Sequence, residues 1–150
     1  MLNHASILVA EDQPFIALDL ALAVEDAGGN VVGPAASCEE ALAFLATGIV
    51  HAAIVDVNLV DRDCSPVLEV LVGRDIPFIV HTAVDLPPEL ATRFSGLVVQ
   101  IKPCPAASLV AQLAKLLAEQ ERAVGGVLSV QRRLVSELAE QGQGRPGSSR

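Results

Sequence analysis

Polar residues of complementary chemistry come directly after four apolar runs of this sequence. The first run ends in an acid pair, the second in one carboxylate, the third in a hydroxyl and the fourth in an ammonium: Glu11-Asp12, Asp56, Thr82 and Lys102. If the runs are strands of one parallel sheet, their C-terminal ends line a single crevice, where ligands bind in such folds. Three carboxylates with a hydroxyl and a lysine predict a divalent cation and a phosphoryl group carried by Asp56.

Each of these groups has a physical role in phosphoryl transfer. An ionised Asp56 can attack phosphorus and form an acyl phosphate. Mg²⁺ prefers oxygen ligands and retains water, so Asp12 and Asp56 with a backbone carbonyl would hold it, and Glu11 would act through a water molecule. The ammonium of Lys102 places a compact positive charge on one phosphoryl oxygen. The other two oxygens have donors in the Thr82 hydroxyl and the Ala83 backbone amide.

The order of apolar runs and helical segments predicts an α/β fold. The strands are expected at 6–10, 30–33, 51–55, 76–81 and 97–101, and the helices at 14–27, 37–47, 64–73, 87–94 and 105–121. The apolar runs do not alternate with polar residues, which is typical of strands covered on both faces. A (βα)5 doubly wound parallel sheet with right-handed crossovers follows.

Local signals mark several helix ends. Pro14 suits a first helical position, and Gly28-Gly29 suits a C-terminal stop. Ser37, with Glu40 three residues later, forms the pattern of a capping box. These signals place the predicted helix boundaries within the loops that join the strands.

The character of the chain changes after residue 121. Gly125-Gly126 predicts a helix break, and an amphipathic helical extension is expected over 122–141, followed by a disordered tail at 142–150. The extension presents an apolar stripe of Val127, Val130, Leu134 and Leu138. Residues 1–121 form the main domain and carry a net charge of −11, whereas the remaining residues carry +3. This contrast favours docking of the extension on the main domain or on a second copy of the chain, which would make a homodimer.

Composition excludes several classes of protein. The longest apolar-rich run, 41–55, has 15 residues, fewer than the ~18 expected of a membrane-spanning helix. No basic region precedes Glu11, so no signal peptide is expected, and the chain is predicted to be cytoplasmic. An acidic body argues against nucleic-acid binding. The three cysteines lack metal-ligand spacing and are predicted to be reduced thiols.

Four motifs in order resemble the receiver domain of two-component response regulators, the CheY-like family, over residues 6–121. The motifs are Val9-Ala10-Glu11-Asp12, Ile54-Val55-Asp56-Val57-Asn58-Leu59, Thr82-Ala83 and Lys102-Pro103. The sequence around Asp56, together with the later segment Ile76-Pro77-Phe78, is similar to that of stand-alone receivers of alphaproteobacteria. The resemblance implies a flavodoxin-like fold with strand order 2-1-3-4-5, to which the predicted C-terminal helix is an appendage.

The resemblance also implies the roles of the site residues. Asp56 would accept the phosphoryl group from a sensor histidine kinase or a phosphotransfer protein, and Lys102 and Thr82 would sense it. Mg²⁺ would be held by Glu11, Asp12, Asp56 and the backbone carbonyl of Asn58. The Lys102-Pro103 peptide bond would be cis, as it usually is in the family. The chain is thus expected to be a signalling domain, with no enzymatic activity beyond its own phosphotransfer and autodephosphorylation.

Three interpretations of function remain open. A single-domain response regulator would signal by contact with a downstream protein, or serve as a phosphate relay or sink, because the 29 residues after 121 are too few for a DNA-binding domain. The alternative is a pseudo-receiver that acts as an interaction module without phosphorylation: Val99, which stands where the family places an aromatic switch residue, favours it, but the complete acidic pocket and Lys102 oppose it. A haloacid-dehalogenase-type phosphatase would require a second Asp where this chain has Asn58. His81 is expected to be structural, and Asp61 and Asp63 to lie in a solvated loop.

Overall fold

The strands of the protein form one parallel sheet. A computed structural model describes residues 1–143. The strands are β1 Ser6–Ala10, β2 Asn30–Ala35, β3 Ala52–Asp56, β4 Phe78–Thr82 and β5 Val99–Ile101. They lie in the order β2-β1-β3-β4-β5, and every neighbouring pair is parallel. The predicted doubly wound α/β fold and its strand order are confirmed.

Helices follow the strands in strict alternation. They are α1 Pro14–Asp26, α2 Cys38–Thr47, α3 Ser65–Gly73, α4 Pro88–Arg93 and α5 Ala106–Gln143. The predicted helix ends are also present. Pro14 opens α1, Gly28 follows its end with a φ of +83°, and the Ser37 hydroxyl accepts a 3.0 Å hydrogen bond from the Glu40 amide.

Apolar residues cover both faces of the sheet, as the unbroken strand patterns predicted. One face packs against α1 and the first turns of α5, and its buried residues include Ile7, Val9, Ile54, Ile79 and Leu113. The opposite face packs against α2, α3 and α4 through residues that include Leu8, Val55, Val80 and Leu68. Side chains alternate between the two faces along a strand, so consecutive residues such as Ile7 and Leu8 belong to the cores on opposite faces of the sheet.

The C-terminal region departs from the prediction. Gly125-Gly126 does not break the chain into two helices, since α5 is helical without interruption from Ala106 to Gln143. A glycine in a helix costs only about 1 kcal/mol relative to alanine and can adopt helical dihedral angles, so flanking helix-forming residues carry the helix through. Gly142 and Gln143, expected in a disordered tail, are also helical, and residues 144–150 lie outside the described residues.

The chain divides into two compact units, Met1–Leu117 and a second unit that begins at Ala118. The first contains the whole sheet and the crevice at its C-terminal edge. Although α5 has 38 residues, no helix in the described part of the chain is both long and apolar enough to cross a membrane.

Candidate functional site

Three carboxylates meet at the C-terminal ends of β1 and β3. Glu11 and Asp56 are buried and Asp12 is half-buried, and each offers one oxygen within 4.8 Å of the others. The strand register explains the meeting, because β1 and β3 pair from Ile7 with Ala52 to Ala10 with Val55 and end level with each other. The sequence predicted this cluster, and the structure brings its three members together.

Lys102 follows β5, the edge strand of the sheet, and its side chain extends past the end of β4 to this cluster. Its Nζ atom lies 2.8 Å from Glu11 Oε1 and donates a 3.0 Å hydrogen bond to Asp56 Oδ2. The ends of β1 and β5 are three strand spacings apart, roughly 14 Å, a gap that an extended lysine and a glutamate close between them. The sequence predicted Lys102 in the crevice but not its ion pair with Glu11.

Burial and charge set the protonation of this trio. Burial is the largest influence on Glu11 and raises its pKa to about 7, against the lowering effects of Lys102 and of the Gln13 amide, which donates to Oε2. Burial by itself would lower the pKa of Lys102, but its hydrogen bonds to Glu11 and Asp56 outweigh that effect and raise it. Lys102 therefore stays protonated, and one ammonium faces three carboxylates.

The carboxylate cluster fits a divalent cation that prefers oxygen. The three carboxylates face the single Lys102 ammonium, whose Nζ lies 2.8 Å from the buried Glu11 Oε1. One ammonium leaves like charges crowded together in the cluster, and a divalent cation between the three carboxylates would compensate them. Glu11, Asp12 and Asp56 are the side chains in reach of one ion, and Mg²⁺ is the ion whose preference for carboxylate and water they match. Asn58 is exposed two residues after Asp56, and the role of its carbonyl stays a prediction.

Thr82 ties the end of β4 to the end of β5. Its backbone carbonyl accepts a 2.7 Å hydrogen bond from the Lys102 amide, and its hydroxyl accepts a 3.3 Å hydrogen bond from the Val84 amide. The side chain is buried, whereas Ala83 next to it is exposed. The Lys102-Pro103 peptide bond is cis, as the resemblance implied. Thr82 and Lys102 are thus joined by a backbone hydrogen bond at this edge of the sheet.

His81 is a buried neighbour of the site that the sequence assigned only a structural role. It pairs in register with Asp56, is 3% exposed, and neither ring nitrogen has a hydrogen-bond partner among the described residues. Burial, followed by the Lys102 charge, lowers its pKa against the opposing effect of Asp56. His81 is therefore neutral at pH 7, and its ring lines a cavity of about 220 Å³ together with Asp19 and Cys104.

The loop after Asp56 does more than the sequence predicted. Asp61 and Asp63 are exposed in this loop, as expected, and both also cap helices. Asp61 accepts hydrogen bonds from the Cys38 amide at 2.7 Å and the Glu39 amide at 3.1 Å, at the start of α2. Asp63 accepts from the Ser65 amide at 2.9 Å and from the Ser65 hydroxyl, at the start of α3. These bonds hold the pKa values of both carboxyl groups below their usual range.

The two aspartates differ in how far the sequence could have revealed them. Asp63 stands two residues before a helix that has proline in its first turn, which is a local capping signal. Asp61 caps a helix that begins 23 residues earlier in the chain, and no local pattern encodes such a contact.

Solved structures with this fold supply the comparison with known proteins. SdrG from Sphingomonas melonis Fr1 is 34% identical, with 79% of this chain and 99% of SdrG covered and a TM-score of 0.65. The response regulator PhyR from Brucella abortus is 28% identical, with 81% of this chain covered and a TM-score of 0.69. A CheY-like receiver domain protein from Methanospirillum hungatei JF-1 is 22% identical, with coverage of 79% and 98% and a TM-score of 0.71, and shows the fold alone.

The match to PhyR covers only part of that protein. The chain spans about half the length of PhyR, 51% of the Brucella abortus protein. No protein-family model matches the chain, and no curated protein matches it. The similarity therefore rests on solved structures that share the sheet and helices described above.

Proposed function

Because this chain belongs to the receiver domains of response regulators, the CheY-like family, we propose that it accepts a phosphoryl group on Asp56. The donor is a phosphohistidine of a sensor histidine kinase or of a phosphotransfer protein. The observation that carries the proposal is the contact of Lys102 Nζ with both Glu11 and Asp56, at 2.8 and 3.0 Å. This contact brings the proposed nucleophile Asp56, the Lys102 ammonium and the Glu11 carboxylate together in one crevice.

The transfer is a displacement at phosphorus. A carboxylate oxygen of Asp56 forms the new bond to phosphorus, and the bond from phosphorus to the imidazole nitrogen of the donor breaks, with its electron pair remaining on that nitrogen. Asp56 is reachable, since the residue is 7% exposed at the edge of the sheet. Lys102 then exchanges its contact with Asp56 Oδ2 for a phosphoryl oxygen, and the Thr82 hydroxyl and Ala83 amide donate to the others.

Glu11, Asp12 and Asp56 would hold Mg²⁺, with the Asn58 carbonyl as a further ligand. When bound, the ion offsets the negative charge of the incoming phosphoryl oxygens. The same residues support slow hydrolysis of the acyl phosphate by water, which is the autodephosphorylation expected of such a domain. Lys102 and Thr82, joined through their backbones, carry the change at Asp56 to the ends of β4 and β5.

The output proposed for this chain is contact with a downstream protein, or service as a relay or sink for phosphate. The receiver fold is that of a signalling domain. The proposed setting is the cytoplasm, where the free thiols of Cys38, Cys64 and Cys104 stay reduced. No nucleic-acid or membrane contact is proposed for the acidic receiver unit.

Incubation of the full chain with Mg²⁺ and acetyl phosphate tests the proposal directly. Intact mass spectrometry is expected to show one adduct of about 80 Da, the mass of one phosphoryl group, stable in acid and labile in base as an acyl phosphate is. Removal of Mg²⁺ with a chelator should suppress the adduct. A chain that stays folded and gains no adduct under these conditions would instead be the pseudo-receiver alternative.

Mg²⁺ should raise the melting temperature of the full chain through Asp12. At a concentration about ten times its Kd the ion contributes ~1.4 kcal/mol, a rise of about 3 to 6 °C for a domain of this size. Asp12→Asn is expected to remove most of that rise, because Asp12 is the half-buried member of the cluster and is free of the Lys102 ion pair. Asp19→Asn, an exposed aspartate on α1, is the control and should keep the rise. A full rise in Asp12→Asn would show that the ion binds elsewhere.

A further inference from the structure

The buried imidazole of His81 points to the face of the sheet that packs against α1 and the first turns of α5. Side chains alternate along a strand, so His81 lies on the same face as Ile79, which belongs to the core on that side. The residue is 3% exposed, and neither ring nitrogen has a hydrogen-bond partner among the described residues. A buried polar group without a partner costs free energy. The ring can therefore take a partner that the described part of the chain does not supply.

The cavity of about 220 Å³ that His81 lines has mostly apolar walls. Ile16 and Leu20, one turn apart on α1, contribute one part of the wall, and Pro103 and Ala106 contribute another from the connection between β5 and α5. Binding sites for small molecules are lined in this way, with a few polar groups that fix the orientation of the ligand. A cavity of about 150 Å³ in another protein holds benzene. The cavity beside His81 therefore has room for one aromatic ring with a short substituent.

Two charged residues line the cavity, and their charges differ in how far they are compensated. The Nζ atom of Lys102 lies 2.8 Å from Glu11 and 3.0 Å from Asp56, so its charge is already neutralised. Asp19 is exposed and places a carboxylate on the solvent side of the cavity. Residues 1–121 also carry a net charge of −11. A ligand with a positive charge at its outer end is therefore favoured over an anion.

We propose that this cavity binds a small phenolic amine, with its hydroxyl on His81, its ring between the apolar side chains and its ammonium beside Asp19. A hydroxyl suits the imidazole, because one nitrogen of a neutral ring donates and the other accepts, and a hydroxyl can do either. The hydroxyl end enters first, since His81 is buried and Asp19 is exposed. The inference does not rest on phosphoryl transfer to Asp56.

Titration of the full chain with tyramine, followed by the amide and imidazole nitrogen shifts in NMR spectra, tests the proposal. Tyramine is expected to shift the His81 signals with a Kd that is roughly millimolar or tighter, as a ligand of about ten heavy atoms can reach. Phenethylamine, which lacks only the hydroxyl, should bind about 5- to 10-fold more weakly because one hydrogen bond is lost. Para-hydroxyphenylacetate, with a carboxylate at the end where tyramine has its ammonium, should also bind more weakly than tyramine. No saturable shift at His81, or equal affinity for tyramine and phenethylamine, would overturn the proposal.

Ala106→Leu should abolish the binding of tyramine, because the larger side chain fills the cavity. Leucine has a high helix propensity, so the start of α5 should be retained, which circular dichroism checks. Ala107→Leu makes the same change at the next residue, which is exposed and does not line the cavity, and it should leave the Kd unchanged. Binding of tyramine that survives Ala106→Leu would exclude this cavity as the site.

Two further variants test the polar contacts one at a time. His81→Phe keeps a ring and removes both nitrogens, so this variant should bind tyramine and phenethylamine equally. Asp19→Asn should reduce the preference for tyramine over para-hydroxyphenylacetate, whereas Asp26→Asn, at an exposed residue at the other end of α1, should keep it. A His81→Phe chain that still prefers tyramine to phenethylamine, or an Asp19→Asn chain with the full preference for the amine, would contradict the proposed orientation of the ligand.

Discussion

Asp56→Asn is expected to remove phosphoryl labelling from the chain entirely. The amide nitrogen is a poor nucleophile and the amide oxygen carries no charge, so the variant cannot form the acyl phosphate. The other two carboxylates of the cluster should not take over, because Glu11 is buried in its ion pair with Lys102 and Asp12 is the residue proposed to hold Mg²⁺. Intact mass after incubation with Mg²⁺ and acetyl phosphate measures the loss, with labelling of the parent as the reference.

Asp61→Asn is the matched control for this substitution. It makes the same chemical change five residues further along the chain, at an exposed carboxylate where an asparagine keeps one of the two oxygens that accept from α2 amides. The Asp61→Asn chain should label at the parent rate. Labelling of Asp56→Asn at that same rate would remove Asp56 from the role of acceptor and direct the search to another carboxylate.

Lys102→Met is expected to destabilise the fold more strongly at alkaline than at acidic pH. The substitution keeps the length of the side chain and removes the ammonium that compensates Glu11 and Asp56. Breaking a buried ion pair by removal of one partner costs about 3 kcal/mol. At about pH 8 this corresponds to a loss of roughly 6 to 12 °C in melting temperature for a domain of this size.

The pH dependence follows from Glu11. Its pKa of about 7 in the folded chain lies above the ordinary value of 4.5, so the folded state binds an extra proton between those values and stability falls as pH rises through that window. Without Lys102 the folded pKa rises further, and the stability of the variant keeps falling above pH 7, where that of the parent levels off. The gap between variant and parent should therefore be smaller at about pH 5.5 than at about pH 8.

Lys115→Met provides the control, since Lys115 is an exposed lysine on α5. Thermal melts without Mg²⁺ at the two pH values should give nearly equal stabilities for this variant and the parent. If Lys102→Met loses the same amount at both pH values, the charge of Glu11 is not what Lys102 compensates in the folded chain.

Most of the fold was predictable because its signals are local. The unbroken apolar runs around Ile54 and Ile79 mark strands covered on both faces, and each run ends in the polar residue that the structure places in the crevice. Once the strands are parallel, their ends must share an edge, so the meeting of Glu11 and Asp56 follows from order alone. The Ser37 cap and the Pro14 helix start were equally local and equally correct.

The features that escaped prediction depend on long-range contacts or on weak local preferences. The pairing of Lys102 with Glu11 joins two strands that are not neighbours in the sheet, which no spacing in the sequence encodes. The predicted break at Gly125-Gly126 was wrong because glycine lowers helix propensity without forbidding the helix. His81 continues a strand pattern like any other residue, and nothing in the sequence reveals that both its ring nitrogens lack a partner among the described residues.

The double cap formed by Asp61 has a consequence for engineering this domain. Two amides of α2 depend on a carboxylate in the loop that follows β3, and the Val60 amide donates back to the Ala36 carbonyl. Residues 36–39 and 60–63 therefore behave as one composite segment, although more than twenty positions separate them in the chain. A loop grafted after Asp56 to alter partner choice would have to bring its own acceptor for α2, or be transplanted together with the first turn of that helix.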